Sequence, residues 1–217
     1  MNIQPIAYIR NDYKEKFGIP RQSGLVSLRS EIVFKPEFSD PSALRGLEDF
    51  THIWLIWEFS EAEGHPFSPT VRPPRLGGNI RKGVFATRSP FRPNPLGLTV
   101  VKLEKIEPGM LTVIGADLMD GTPIFDIKPY LPYVDSIPEA SNGWSLATPE
   151  AQLEVSFPDD LLVQIPVEKR AGLIEILSQD PRPQYQTSSE RVYTMAFAEF
   201  QISFRVENNT LSVIDIK

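Results

Sequence analysis

Apolar and polar positions alternate in short runs along most of this chain, and the runs are broken by proline, glycine and asparagine. Residues 3–10 alternate loosely and predict a strand, as does the run 25–34 (LVSLRSEIVF). Residues 51–59 (THIWLIWEF) are aromatic and β-branched, the pattern of a buried strand. Further strands are predicted over 83–87, 97–106, 110–118 and 124–128. Between them, 11–24 reads as a loop, and the Pro- and Gly-rich stretch 64–81 as irregular chain. Asp40 can cap a short helix that starts at Pro41 and turns Ala43, Leu44 and Leu47 inward.

Many short strands, almost no helix and no βαβ alternation predict a mainly β fold, a small closed or nearly closed N-terminal barrel with irregular Pro-rich loops. It should span residues 1–140. Residues 129–150 carry four prolines without periodicity and read as a linker. The pattern then changes. A strand is expected over 153–157, and a helix over 167–178 with Val167, Ala171, Ile174 and Leu177 on one face and Pro166 as its start signal. Strands are expected over 191–206 and 211–216, joined by a turn at Asn208-Asn209. This predicts a small C-terminal α+β domain over 151–217.

Composition narrows the class. The chain has 217 residues, 41% of them hydrophobic and 23% charged, enough for one large domain or a main domain with a small appendage. It contains no cysteine, so it has no disulfide framework and no thiolate metal site. His52 and His65 are the only histidines and lack ligand spacing, so no metal is expected. No apolar run is long enough to span a bilayer, and the first residues lack the n- and h-regions of a signal peptide. A cytoplasmic protein without a membrane partner is the expectation.

The net charge of −6 argues against a polyanion partner, but its distribution argues otherwise. Between Glu63 and Glu104 there is no acidic residue, while Arg72, Arg75, Arg81, Lys82, Arg88, Arg92 and Lys102 fall in that stretch. An anion-binding surface is one reading; a solvated charged face is the other.

Three segments carry candidate chemistry. In Arg72-Pro73-Pro74-Arg75-Leu76-Gly77-Gly78 the prolines hold two guanidiniums in fixed relation, suited to phosphate or carboxylate. In residues 86–97 (ATRSPFRPNPLG) three prolines in six residues stiffen a path that displays Arg88, Arg92 and Asn94, with little entropy left to lose on binding. In residues 117–132 (DLMDGTPIFDIKPYLP) Asp120-Gly121 forms a turn. The following strand puts Asp126 and Lys128 on one face, as a surface ion pair or as an acid–base pair at a pocket rim. There is no GxGxxG fingerprint, Walker loop or GxSxG elbow.

With residues 13–22 (YKEKFGIPRQ), these segments resemble the TrmO (TsaA-like, YaeB-like) family over essentially the whole chain, including residues 179–185 (QDPRPQY) of the C-terminal appendage. The resemblance implies a small β-barrel that binds S-adenosylmethionine outside the Rossmann class. It also implies methylation of N6 of the threonylcarbamoyl-adenosine next to the anticodon in tRNA, and a homodimer with the cofactor near its interface. By position in the motifs, cofactor contacts fall on Gln22, Ser23, Gly24, Ser60, Glu61, Arg88, Leu98, Asp117, Leu118, Met119 and Asp120. Relatives carry proline where this chain has Ser23 and a different pair at Ser60-Glu61; contacts through backbone atoms tolerate both changes.

For the chemistry, Asp126 is expected as the general base, with Lys128 or Tyr130 orienting the substrate. Arg72, Arg75, Arg92 and Arg182 are expected on tRNA phosphates, and Tyr185 on an unpaired base of the anticodon loop. The alternatives are a non-catalytic RNA-binding barrel and an enzyme acting on a small anionic metabolite.

Overall fold

A computed structural model of the protein describes residues 2–62, 64–73, 79–145, 152–182 and 190–217. Eight strands precede the linker: β1 (Ala7–Arg10), β2 (Arg29–Phe34), β3 (His52–Glu58), β4 (Thr70–Val71), β5 (Lys82–Gly83), β6 (Leu96–Glu107), β7 (Met110–Ile114) and β8 (Pro123–Pro129). Six of them close a barrel in the order β1-β2-β7-β6-β3-β8, every pair antiparallel, while β4 and β5 pair separately.

The period of two explains the closure. On β3, Ile53, Leu55 and Trp57 point inward and are buried, while His52, Trp54, Ile56 and Glu58 face out. Ile9, Ile32, Val101, Leu111, Val113, Leu118 and Ile124 complete the interior. Burying each large aliphatic side chain contributes roughly 1.5–3 kcal/mol, so a register slip that turned these residues outward would forfeit the core.

Antiparallel pairing also gathers the loops. β1, β3 and β7 end at the rim where β2, β6 and β8 begin, so the long connections 11–28, 59–95 and 115–122 meet at one mouth. Two of them touch through glycine. The Gly24 N–H donates to the Gly115 carbonyl at 2.9 Å, and a Cβ on Gly115 would lie 3.3 Å from the Gly24 backbone.

A short helix α1 (Pro132–Asp135) follows the barrel. The C-terminal unit comprises β9 (Glu154–Ser156), α2 (Asp159–Leu162), α3 (Val167–Ser178), β10 (Tyr193–Phe197), β11 (Phe200–Glu207) and β12 (Thr210–Ile216). Its sheet runs β10-β11-β12-β9, with β9 parallel to β12. Leu173, Ile176 and Leu177 of α3 pack with Phe197, Phe204 and Val213 of the sheet, and Tyr13, Val26 and Leu28 of the 11–28 loop join the same core. Polar ties reinforce that docking: Lys169 pairs with Asp12 at 2.6 Å, and the Ser27 hydroxyl donates to Glu175 at 2.8 Å. The loop at the barrel mouth is therefore clamped from behind by the C-terminal unit.

Several local expectations are corrected. Of residues 83–87 only Gly83 is in a strand, the end of β5; the chain then makes a 3-10 turn over Val84–Ala86, anchored by buried Val84. The Asp40 cap exists, its carboxylate accepting from the Ser42 N–H at 2.8 Å, but it starts a 3-10 turn, Pro41–Leu44, on which Leu44 packs inward and Ala43 is exposed; Leu47 packs inward from a second 3-10 turn, Leu47–Asp49. On α3 the buried residues are Gly172, Leu173, Ile176 and Leu177, with Val167 and Ala171 exposed. The helix is rotated because Gly172 abuts Leu28 so closely that a Cβ there would lie 2.3 Å from its side chain. Residues 191–206 are two strands, broken at Ala198, which takes a positive φ of 53°. The hairpin at Asn208-Asn209 is present, with Asn208 at φ 54°.

Candidate functional site

A cavity of about 630 Å³ opens at the barrel mouth where the three loops meet. Its lining comes from the 11–28 loop (Ile19 to Ser23), from the end of β3 and the turn after it (Trp57 to Ala62) and from the start of β6 (Leu96 to Val100). Lys16, Trp54, Thr87, Arg88, Pro90 to Arg92, Asp117, Met119 and Thr122 complete it. The volume falls in the range of small-molecule sites, and such sites combine apolar walls with a few placed polar groups.

The polar group deepest in the chemistry is Asp117. Thr99, a buried residue of β6, donates its hydroxyl to the Asp117 carboxylate at 2.8 Å. The Trp57 indole N–H donates in turn to the Thr99 oxygen at 3.0 Å, which leaves the Thr99 hydrogen free to point at Asp117. Burial pushes the Asp117 carboxyl above the usual aspartate range, against the opposing pull of Thr99, Arg88 and the Ser23 N–H. Asp117 thus gives the cavity a half-buried carboxylate, among lining residues that include the cations Lys16, Arg21, Arg88 and Arg92 and the carboxylates Glu58 and Glu61. The fit to a sulfonium nucleoside rests on that carboxylate, on the aromatic walls Trp54, Trp57, Phe59 and Phe91, and on the cavity's size. Gly97 keeps the pocket open: a Cβ there would lie 2.2 Å from the Trp57 ring.

The residues expected to contact cofactor divide into two sets. Gln22, Ser23, Ser60, Glu61, Arg88, Leu98, Asp117 and Met119 line the cavity. Gln22 accepts a hydrogen bond from the Arg88 guanidinium, and Glu61 pairs with Lys16 at 2.8 Å. Gly24, Leu118 and Asp120 do not line it. Leu118 is fully buried in the barrel. Asp120 accepts from the Asn11 N–H at 2.9 Å and pairs with Lys14 at 2.8 Å. Its side chain therefore ties the 11–28 loop to the 115–122 loop.

Asp126, Lys128 and Tyr130 lie outside the cavity lining, on the outer face of the barrel. Asp126 and Lys128 pair at 2.9 Å. The cross-strand row Leu98–Ile56–Asp126 leads from the cavity to this face. Two inter-strand steps put Asp126 about 10 Å from Leu98. The Tyr130 ring stands 5.6 Å from Trp54, a cavity residue.

A second, larger groove of about 1370 Å³ adjoins the first and shares Arg21, Gln22, Thr87, Arg88, Pro90 and Phe91 with it. Arg72 lines this groove. Arg92 does not; its guanidinium donates to the Thr87 and Ser89 carbonyls at 3.0 and 3.2 Å and so braces the Pro-rich loop. Arg182 is 14% exposed and bound twice to Asp180, at 2.8 and 2.9 Å, which raises its pKa. Arg75 and Tyr185 lie outside the described residues. Arg81, one of the cations of the carboxylate-free stretch, also lines the groove, whereas Thr99, Trp57, Phe85 and Trp144 carry no functional motif in the sequence. Trp144, the one tryptophan of the proline-punctuated linker, carries the most visible signal of these.

Among the described residues no group of three or more His, Asp or Glu is placed to hold a metal ion. No helix of the described residues is long and apolar enough to cross a membrane.

Two family models match. Residues 8–136 match the tRNA-methyltransferase O N-terminal domain, and residues 150–217 match the TrmO C-terminal domain. The chain is 41% identical over 227 residues to the tRNA (adenine(37)-N6)-methyltransferase of Escherichia coli strain K12, covering 99% of this chain and 97% of the relative. It is 45% identical over 193 residues to the putative S-adenosylmethionine-dependent methyltransferase RcsF of Pseudomonas aeruginosa PAO1, covering 85% and 83%. Its fold is similar to the crystal structure of TrmO from Pseudomonas aeruginosa, with a TM-score of 0.80 at 34% identity, covering 100% of this chain and 98% of the other.

Proposed function

This chain belongs to the tRNA-methyltransferase O family, and we propose that it transfers a methyl group from S-adenosylmethionine to N6 of the threonylcarbamoyl-adenosine next to the anticodon of a tRNA. The observation that carries the reading is the junction of two cavities. A carboxylate-bearing, aromatic-walled pocket suited to a sulfonium nucleoside opens directly into an arginine-lined groove suited to a polyanion. The relatives named as tRNA methyltransferases and as S-adenosylmethionine-dependent enzymes support the two halves of that assignment.

When bound, S-adenosylmethionine supplies an electrophilic methyl group on a sulfonium centre. The chain's own residues do the rest. Asp117, held by Thr99 and Ser23, sets a negative charge beside the cationic end of the pocket. Gln22 and Arg88 fix each other at the junction of the cavities. Leu98 and the aromatic walls exclude water, which strengthens every charge interaction within. The acceptor nitrogen lies between a purine and a carbamoyl group, so its lone pair is delocalised and it is a poor nucleophile until its proton leaves. We assign that proton to Asp126, with Lys128 or Tyr130 orienting the substrate. Alignment supplies most of the acceleration and a general base adds about 10²–10⁴-fold. Leu98, 58% exposed at the pocket edge, fits coverage by a second copy in a homodimer. A cytoplasmic location follows from the substrate.

The test is tRNA from cells lacking this gene, incubated with the protein and S-adenosylmethionine, digested and analysed by nucleoside mass spectrometry. Conversion of threonylcarbamoyl-adenosine to its N6-methyl form supports the proposal. Methylation at another nucleoside, or none, refutes it.

A further inference from the structure

We propose that the larger groove is a single-stranded RNA site, in which Phe85 is a stacking platform for an unpaired base, Trp144 of the linker lines the same groove, and Arg72 and Arg81 take the backbone phosphates. The inference rests on the tRNA methyltransferase reading and names the residues that read the substrate.

Phe85 is the observation that demands explanation. It sits in the 3-10 turn Val84–Ala86, where Val84 is 1% exposed and anchors the turn, yet Phe85 is 75% exposed and lines the groove. The turn thus holds the backbone rigid while presenting a ring to solvent, the geometry of a base platform rather than of a core residue. The linker reaches the same turn: the Trp144 indole N–H donates to the Ala86 carbonyl at 3.0 Å. That bond fixes an indole at the turn that carries Phe85 and also closes a strap. At its other end the Trp54 indole N–H donates to Asp135 at 3.0 Å, so the linker runs from the outer face of the barrel to the groove with an indole hydrogen bond at each end.

Charge selects the occupant. Arg72 and Arg81 line the groove, and no described lining residue is acidic. Arg81 donates to the Thr70 hydroxyl at 2.8 Å, which orients its guanidinium without neutralising it. Cationic groups flanking exposed aromatic faces match unpaired RNA, whose bases stack and whose phosphates pair with arginine. The groove also continues into the pocket through Thr87 and Arg88, so a strand lying in it delivers one base to the methyl donor.

The experiment measures binding of a fluorescent anticodon stem-loop RNA and of S-adenosylmethionine separately, with the full chain. Phe85→Ala should weaken RNA binding about 5- to 100-fold, the scale of one lost base stack, and raise the KM for tRNA. S-adenosylmethionine affinity and oligomeric state should not change, and Phe85→Tyr should restore RNA binding. Arg72→Ala and Arg81→Ala should each flatten the salt dependence by about one phosphate contact. Unchanged RNA affinity in Phe85→Ala, or a change in oligomeric state showing that a second copy covers the groove, overturns this inference and leaves the methyltransferase proposal standing. A wild-type protein that binds the cofactor but neither binds nor methylates tRNA overturns both.

Discussion

The Thr99 hydroxyl lies 2.8 Å from the Asp117 carboxylate, and the direction of that hydrogen bond is set by the Trp57 indole, which occupies the Thr99 oxygen from the other side. Three residues from β3, β6 and the 115–122 loop thereby act as one unit at the floor of the cavity. Thr99→Val should remove the donor while keeping the shape. Asp117 and the Trp57 N–H would each lose a partner, at a cost of about 1–3 kcal/mol per buried group. Denaturant unfolding should show that loss and calorimetry a weaker S-adenosylmethionine affinity, with Thr99→Ser close to wild type.

Asp117 should make S-adenosylmethionine binding pH-dependent. A cationic ligand needs the carboxylate ionised, and burial raises its pKa. Affinity should therefore fall on acidification at a higher pH than an ordinary aspartate would produce. The effect on the free protein has the opposite sense. A raised pKa in the folded state means that the folded protein binds the proton more tightly than the unfolded chain. This group's contribution to stability is present at low pH and is lost as pH rises through the folded pKa. Asp117→Asn should abolish the pH dependence of binding and lower the affinity; a variant that binds with the wild-type pH profile would exclude Asp117 as the cation's partner.

Asp126→Asn separates chemistry from binding. With S-adenosylmethionine affinity unchanged, kcat should drop about 10²–10⁴-fold. Near-normal turnover in single-turnover kinetics would remove Asp126 from the mechanism.

Gly172→Ala tests the clamp behind the pocket. The new methyl would meet Leu28 at 2.3 Å, and overpacking of this kind costs about 1–3 kcal/mol. Because Leu28 belongs to the loop that carries Gln22 and Ser23, the KM for S-adenosylmethionine should rise together with the loss of stability. A purely local effect would lower the melting temperature alone.

Much of the barrel is legible in the sequence because strands with one buried face write their period openly, as His52–Glu58 does. The rotation of α3 is not legible. Val167, Ala171, Ile174 and Leu177 satisfy helical spacing, but the face that wins is the one where a glycine lets Leu28 approach. The same holds at the site. The arginine-rich segment announces an anion-binding surface, yet sequence cannot tell Arg72, which lines the groove, from Arg92 and Arg182, whose guanidiniums are engaged by Thr87, Ser89 and Asp180. Thr99 reads as one more strand residue, and only barrel closure brings it to Asp117.

Arg182 shows the practical difference. Arg182→Ala should leave the Asp180 carboxylate without its guanidinium and lower thermal stability, while the salt slope of tRNA binding stays at the wild-type value. A flattened slope would instead put Arg182 on the RNA.

The most direct measurement is a crystal structure of the protein soaked with S-adenosylmethionine. We predict the ligand in the barrel-mouth cavity, against Leu98 and Gln22, with its cationic end toward Asp117. Density in the arginine groove instead, or none beside Asp117 at saturating ligand, would contradict the assignment of the pocket.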